Sequence, residues 1–272
     1  MHGGVRNHTL SNMAPHPKMK IFSFHLLETT PAMTLGAFFR PPTKNKISGL
    51  RHAECMSAMT LGSPILSMER MQLSRLAMFA FWENEEAIDD FLADTRLGCK
   101  LAEGWHVRLR FLRQWGQFSE FDNLPEPVAD TDPEQPIVAV TLARLKLPEV
   151  FRFIHWGKPV EELVRDNPNT TLAMAAMRPS RTFSTFSVWR SQRHMTDMVH
   201  GRNSCPGSSR HASAMTERER KDFHHKFTTF RFRAVSEHGT WLGKNNIIPK
   251  GKAEQAGGAI GEQLRSSPSA HQ

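Results

Sequence analysis

Phe79-Ala80-Phe81-Trp82 recurs as Phe186-Ser187-Val188-Trp189, 107 positions further along the chain. Both read as the end of an apolar strand closed by a tryptophan. At the same spacing Ile88, Phe91 and Leu92 find Met195, Met198 and Val199. These are apolar residues at i, i+3 and i+4, one face of a helix. Later, Trp115-Gly116-Gln117-Phe118 is echoed by His238-Gly239-Thr240-Trp241, now 123 positions apart, so the second copy carries 16 extra residues. The breaker-rich run Gly201-Arg202-Asn203-Ser204-Cys205-Pro206-Gly207 is where they fall. Strand, helix and closing turn matching in order mark a chain built from two copies of one unit.

Each copy has the same expected plan. In the second, 137–145 is an apolar strand and Pro148 suits the first turn of a helix running toward Val164, with a break at Pro159. Segments 171–177 and 182–189 read as strands, Ser191 as the cap of a helix ended by Gly201, and 212–223 as another helix. In 227–235 Phe230 and Phe232 alternate with Arg231 and Arg233, a strand pattern. The first copy shows strands at 21–26, before Trp82 and at 105–112, and a helix at 85–103. The order is βαββαβ, the ferredoxin-like unit. The expected fold class is therefore α+β, with tandem duplicated ferredoxin-like units packed sheet against sheet as an α/β barrel in one chain. Pro125, Pro127, Pro133 and Pro136 punctuate an acidic run and mark the boundary. The expected divisions are a disordered start at 1–18, a first unit at 19–119, a linker at 120–135, a second unit at 136–242 and a flexible tail at 243–272.

With 272 residues, 39% of them hydrophobic, the chain has material for a large core, and no apolar run reaches the length of a membrane-spanning helix. Tyrosine is absent, which excludes any tyrosine acid, base or radical. Three scattered cysteines form no CxxC, and a reduced cytoplasmic setting is expected. There is no HExxH, no Walker loop and no GxSxG elbow. The net charge of +8 is uneven: 190–233 holds ten Lys and Arg against four acids. A basic face of this kind suits an acidic protein, anionic lipid or nucleic acid. No RNP-like motif supports the last, and nucleic acid is not the expected partner.

Thr185-Phe186-Ser187-Val188-Trp189 is similar to a strand of the spheroidene monooxygenase family. His211-Ala212-Ser213-Ala214-Met215, Phe223, Phe230-Arg231-Phe232 and Gly239-Thr240-Trp241 follow that family's order of a histidine helix, an aromatic, an aromatic–Arg–Phe strand and Gly-Thr-Trp. Trp82-Glu83-Asn84-Glu85-Glu86-Ala87 and Trp115-Gly116 look like its first half. The resemblance spans roughly 20–242. It departs from the pattern at Met174-Ala175-Ala176-Met177-Arg178-Pro179 and at His225-Lys226.

The resemblance implies a haem-dependent monooxygenase acting on a carotenoid or another long apolar substrate. It implies His211 as ligand to the haem iron. Arg231 is the candidate partner for a haem propionate, since Arg–carboxylate pairs are strong and directional. Trp82, Trp189 and Phe186 are candidates for the substrate pocket, beside their plainer role in packing the core. A ferredoxin-like electron donor is the expected protein partner, steered by the basic charges around Arg218, Arg220 and Lys221, and peripheral contact with a membrane would bring an apolar substrate within reach. Two rivals stand beside this reading. One is a cofactor-free or non-enzymatic barrel protein that binds a hydrophobic small molecule. The other is a basic interaction protein that binds nucleic acid or an acidic partner.

Overall fold

A computed structural model describes residues 19–64, 67–129, 131–178, 182–202 and 210–251. The expectations for 1–18, for 203–209 in the insertion and for 252–272 lie outside the described residues. The first unit runs β1 (Ile21–Glu28), α1 (Pro31–Phe39), β2 (Leu50–Met59), β3 (Gln72–Trp82), α2 (Glu85–Asp94), α3 (Arg96–Ala102) and β4 (Trp105–Gln117). The second runs β5 (Ile137–Leu145), α4 (Val150–Arg165), β6 (Thr170–Arg178), β7 (Thr182–Trp189), α5 (Gln192–Val199), α6 (Arg210–Arg220) and β8 (His224–His238). All strands pair antiparallel in one closed barrel, β1-β3-β2-β6-β7-β5-β8-β4. Each half has the ferredoxin-like order, and equivalent edge strands join the halves, β4 to β8 and β2 to β6.

The registers repeat residue for residue. Ile21 faces Trp82 as Ile137 faces Trp189. Leu50 faces Trp82 and His52 faces Phe81 across a bulge, just as Thr170 faces Trp189 and Leu172 faces Val188. Ser23 faces Arg108 as Ala139 faces Arg231. The two halves thus share a sheet backbone on which these strand residues have twins. Glu54 corresponds to Met174, Ala58 to Arg178, His25 to Thr141 and Met78 to Thr185.

The side chains that alternate inward fill the barrel. Phe22, Phe24, Phe79, Phe81, Phe186, Phe230 and Phe232 are essentially fully buried there. Phe22 lies 4.3 Å from Phe81 and 4.8 Å from Phe232, ring centre to ring centre. The outward residues pack beneath the helices, giving each unit its own second core. Gly116 (φ 79°) and Gly239 (φ 74°) turn the chain over opposite ends of the barrel. After them Phe118 and Trp241 drop into the barrel core as plugs. The Glu237 carboxylate accepts the backbone N–H groups of Ile247 and Ile248 and the Trp105 indole N–H. The first residues of the segment read as a loose tail are therefore tied across the barrel mouth.

Other local expectations change as well. The helix expected over 85–103 divides at Thr95, whose hydroxyl accepts the Gly98 N–H and caps α3. Helix α4 continues through Pro159, and Pro148 lies in a short 3₁₀ turn before it. The acidic stretch after β4 is stitched down by Arg51–Asp122 (3.0 Å), Lys226–Glu120 (3.0 Å) and Arg193–Glu134 (2.5 Å).

A β-carbon at Gly239 would run into the Gly104 carbonyl oxygen, whereas one at Gly243, also at positive φ, meets open space. Gly243→Ala should cost about 1 kcal/mol through backbone strain. Gly239→Ala should cost a further ~1–3 kcal/mol from the clash. Urea denaturation of the two variants measures the difference.

Candidate functional site

The two halves differ most on the faces their helices cover. In the first unit Ser23, His25 and Met78 sit in the middle of that face and are fully buried. Their twins Ala139, Thr141 and Thr185 are smaller and remain partly accessible. Thr229, whose hydroxyl meets that of Thr141 at 3.2 Å, is also partly accessible. Beneath α4, α5 and α6 the sheet therefore has a floor of small residues that the helices do not seal.

Arg231 stands at the edge of this floor. Its twin Arg108 is held by Glu85 at 3.1 Å and by Asp89, both on α2. The corresponding positions on α5 are Gln192 and Thr196, so Arg231 has lost both acids. Among the described residues no carboxylate pairs with it, and its buried Nε has no hydrogen-bond partner. Burial and then the neighbouring Arg113 push its pKa down. Its guanidinium lies 4.6 Å from the centre of the Trp115 ring, which is 41% exposed. A desolvated guanidinium without a counter-ion is a receptor for an anion.

His211 lies on the first turn of α6, half-buried. Burial lowers its pKa, and a hydrogen bond to the Val199 backbone opposes the shift. The lowered pKa favours the neutral ring, the form in which histidine binds a metal. The floor and the unpaired arginine lie on the helix-covered side of the second unit, and His211 lies on α6 of the same unit.

His224, which its His-His pair suggests is a surface residue, is buried. Its buried ring meets the Asp222 carboxylate at 2.9 Å through Nδ1 and lies 5.5 Å from Phe153. Burial brings its pKa down to about 4 against the pull of Asp222, and Nε2 has no partner. Two positions from an aspartate, in a His-His pair, it offered no sequence signal of burial.

The three residues read as pocket wall do not share a surface. Trp82 and Trp189 are buried in the helix-side cores of opposite halves, their indole N–H groups donated to Ser23 and Ser187. Phe186 points into the barrel and stacks on Phe24 at 3.9 Å. All three pack the protein. The expected donor surface changes too. Arg218 faces Asp222, Arg220 binds Glu217 and Lys221 binds Glu149. Arg110, Arg113 and Arg233 are exposed along the β4–β8 seam and pair with no carboxylate among the described residues.

The fold and site define a two-unit α+β barrel with an arginine that no acid pairs, among the described residues, beside an open sheet face. No family model matches the chain. It is similar to a spheroidene monooxygenase of Rhodobacter capsulatus, 26% identical over 137 residues, which are 50% of this chain and 54% of the relative. The chain thus matches about half the length of that curated relative. Among solved structures, an aldoxime dehydratase in complex with butyraldoxime aligns with a TM-score of 0.47 at 9% identity, over 84% of each chain. A monooxygenase-like protein of Listeria innocua aligns at 0.26 and 12% identity, over 79% of this chain and 96% of that one. Among the described residues no helix is long and apolar enough to cross a membrane.

Two predictions follow from the comparison of twins. Arg108→Leu should cost about 1 kcal/mol, the worth of a partly exposed ion pair. Arg231→Leu should leave stability level or raise it by up to ~1 kcal/mol, because an unpaired desolvated charge is removed. Thermal unfolding of both variants reads the opposite signs.

The second concerns pH. Burial lowers His25 far below 6.5 and His106 to about 4. Above pH 6.5 both are neutral, folded or unfolded. Below it the unfolded chain takes up protons that the folded chain refuses, so stability falls between about pH 6.5 and pH 4, by up to ~1.4 kcal/mol per pH unit for each imidazole. His106→Gln should flatten that slope in urea titrations.

Proposed function

We propose that this chain is a haem-dependent monooxygenase that acts on a carotenoid or another long apolar substrate. The observation that carries the reading is Arg231, stripped of the acids that hold its twin and set beside an open floor of small residues. His211 would hold the haem iron through the nitrogen that Val199 leaves free, and Arg231 would pair with a propionate. Haem, when bound, supplies dioxygen activation, with one oxygen atom entering the substrate, the other leaving as water, and two electrons drawn from a donor.

The chain's own residues supply the surroundings. The Val199 backbone would orient the His211 ring. Trp115 covers one face of Arg231. Leu147 and Phe151, exposed four residues apart at the start of α4, offer an apolar contact to a membrane in which such a substrate dissolves. An acidic ferredoxin-like donor would meet Arg110, Arg113 and Arg233, since Arg218, Arg220 and Lys221 are already paired. Opposite charge there speeds encounter and weakens with salt.

Reconstitution with haemin tests the proposal. The protein should show a Soret band, His211→Ala should lose or shift it, and His224→Ala should keep it. The reverse pattern would move the ligand to His224. Supplied with donor and oxygen, the loaded protein should add one oxygen atom to a carotenoid, read by mass. A protein that takes up no haem yet binds carotenoid would instead be the cofactor-free binder.

A further inference from the structure

The barrel has two equivalent ends, and they are finished differently. At the end plugged by Phe118, the Glu54 carboxylate of β2 is buried inside the barrel. It binds Arg144 at 2.5 Å, His52 at 2.9 Å, Arg178 at 3.1 Å and the Thr182 hydroxyl at 3.2 Å. This cluster fills the space where β2 and β6 separate, beyond the three residue pairs that join them.

At the other end the twins of this cluster are apolar. Met174 stands in the place of Glu54, Ala58 in that of Arg178 and Leu172 in that of His52. The space is a cavity of about 190 Å³ instead. Met174, Ala58, Leu172, Trp241 and Ile247 form its apolar wall. Two cations, Arg75 and Lys244, also line it, and no acid does. Arg75 occupies the place of Thr182 and lies 5.7 Å from the centre of the Trp241 ring. On its outer side it meets Glu28 at 3.3 Å, at the rim, where the cavity opens into a wider polar groove that also includes Glu69. The buried Thr171 hydroxyl, a further lining group, has no hydrogen-bond partner. A buried hydroxyl without a partner costs free energy that a polar ligand atom restores.

We infer that this end of the barrel binds a small monocarboxylate with a short alkyl or aryl body, whose acid group takes the role that Glu54 fills at the opposite end. The cavity equals about six water volumes, room for a body of roughly six carbons. Lys244 and Arg75 receive the carboxylate, and Trp241, Met174 and Ile247 surround the tail. The site lies inside the barrel, apart from the helix-covered face of the second unit, and does not depend on what binds there.

Hexanoate is the probe and hexanol its neutral match, followed by calorimetry and by the methyl NMR signal of Met174. Hexanoate should bind saturably and move that signal, with hexanol at least tenfold weaker. Lys244→Met should weaken hexanoate about tenfold. Met174→Glu, which places a carboxylate in the cavity, should abolish binding. Ala58→Leu, which fills the space without adding charge, should abolish it as well, and covers the case in which Met174→Glu does not fold. Absence of saturable binding, equal binding of hexanol, or binding that survives Ala58→Leu would overturn the inference.

Discussion

The closing of the sheet on itself is the constraint on which everything else rests. A single four-stranded ferredoxin-like sheet leaves two edges with unpaired backbone groups and one apolar face without cover. In this chain the second copy answers both needs at once. β4 pairs with β8 along nearly its whole length, β2 meets β6 over three residues, and the inner faces of both sheets merge into one aromatic core. Phe22 from one half against Phe232 from the other, and Phe24 against Phe186, are contacts that neither half has alone. The helices therefore cover only the outer faces, and sites can develop there or at the barrel ends without opening the core.

Duplication also gives each residue a control. Where the twins agree, as at Trp82 and Trp189 or Gly116 and Gly239, the position serves the fold. Where they differ in chemistry, one half has been released from a structural duty. Arg108 holds α2 to its sheet through two acids; Arg231 pairs with no acid among the described residues and lies only against the Trp115 ring. His25 and Met78 seal one face, and Thr141 and Thr185 leave the other ajar. These differences fall on the helix-covered side of the second unit, and a separate set falls at the two barrel ends.

The repeat, the strand order and the barrel were legible because they rest on local signals. Alternation in 227–235, the two tryptophan-ended strands and the paired Gly turns all lie within short windows. Helix α1 does open on a local signal, Thr30 as cap and Pro31 at its first position, but Gly36 and Thr34 within it weaken the helical pattern. The roles of individual side chains were harder to read. Trp82, Trp189 and Phe186 were correctly placed on strands, yet the direction each points depends on register and on what lies across the barrel. Charge was the least legible. Arg218, Arg220 and Lys221 looked like a free basic cluster, but Glu149, far off in sequence, neutralises part of it. Glu54 acquires three of its four partners from β5, β6 and β7, about ninety or more residues away. His211 and Arg231 came from resemblance, and only the tertiary comparison with Arg108 shows what is unusual about Arg231.

The short β2–β6 seam explains why the barrel ends diverge in chemistry. Three residue pairs leave strand ends that must be closed by side chains. A buried carboxylate is a costly way to do this, because removing it from water is offset only when several donors surround it. Glu54 has four, and its pKa lies below the ordinary value despite the burial that would raise it. The opposite end has taken the other course, with methionine and alanine in place of glutamate and arginine. Apolar side chains of that size carry no desolvation cost, but they do not span the gap between diverging strands. A gap lined by apolar atoms, with two cations and an idle hydroxyl, follows from removing the carboxylate while the backbone around it stays the same.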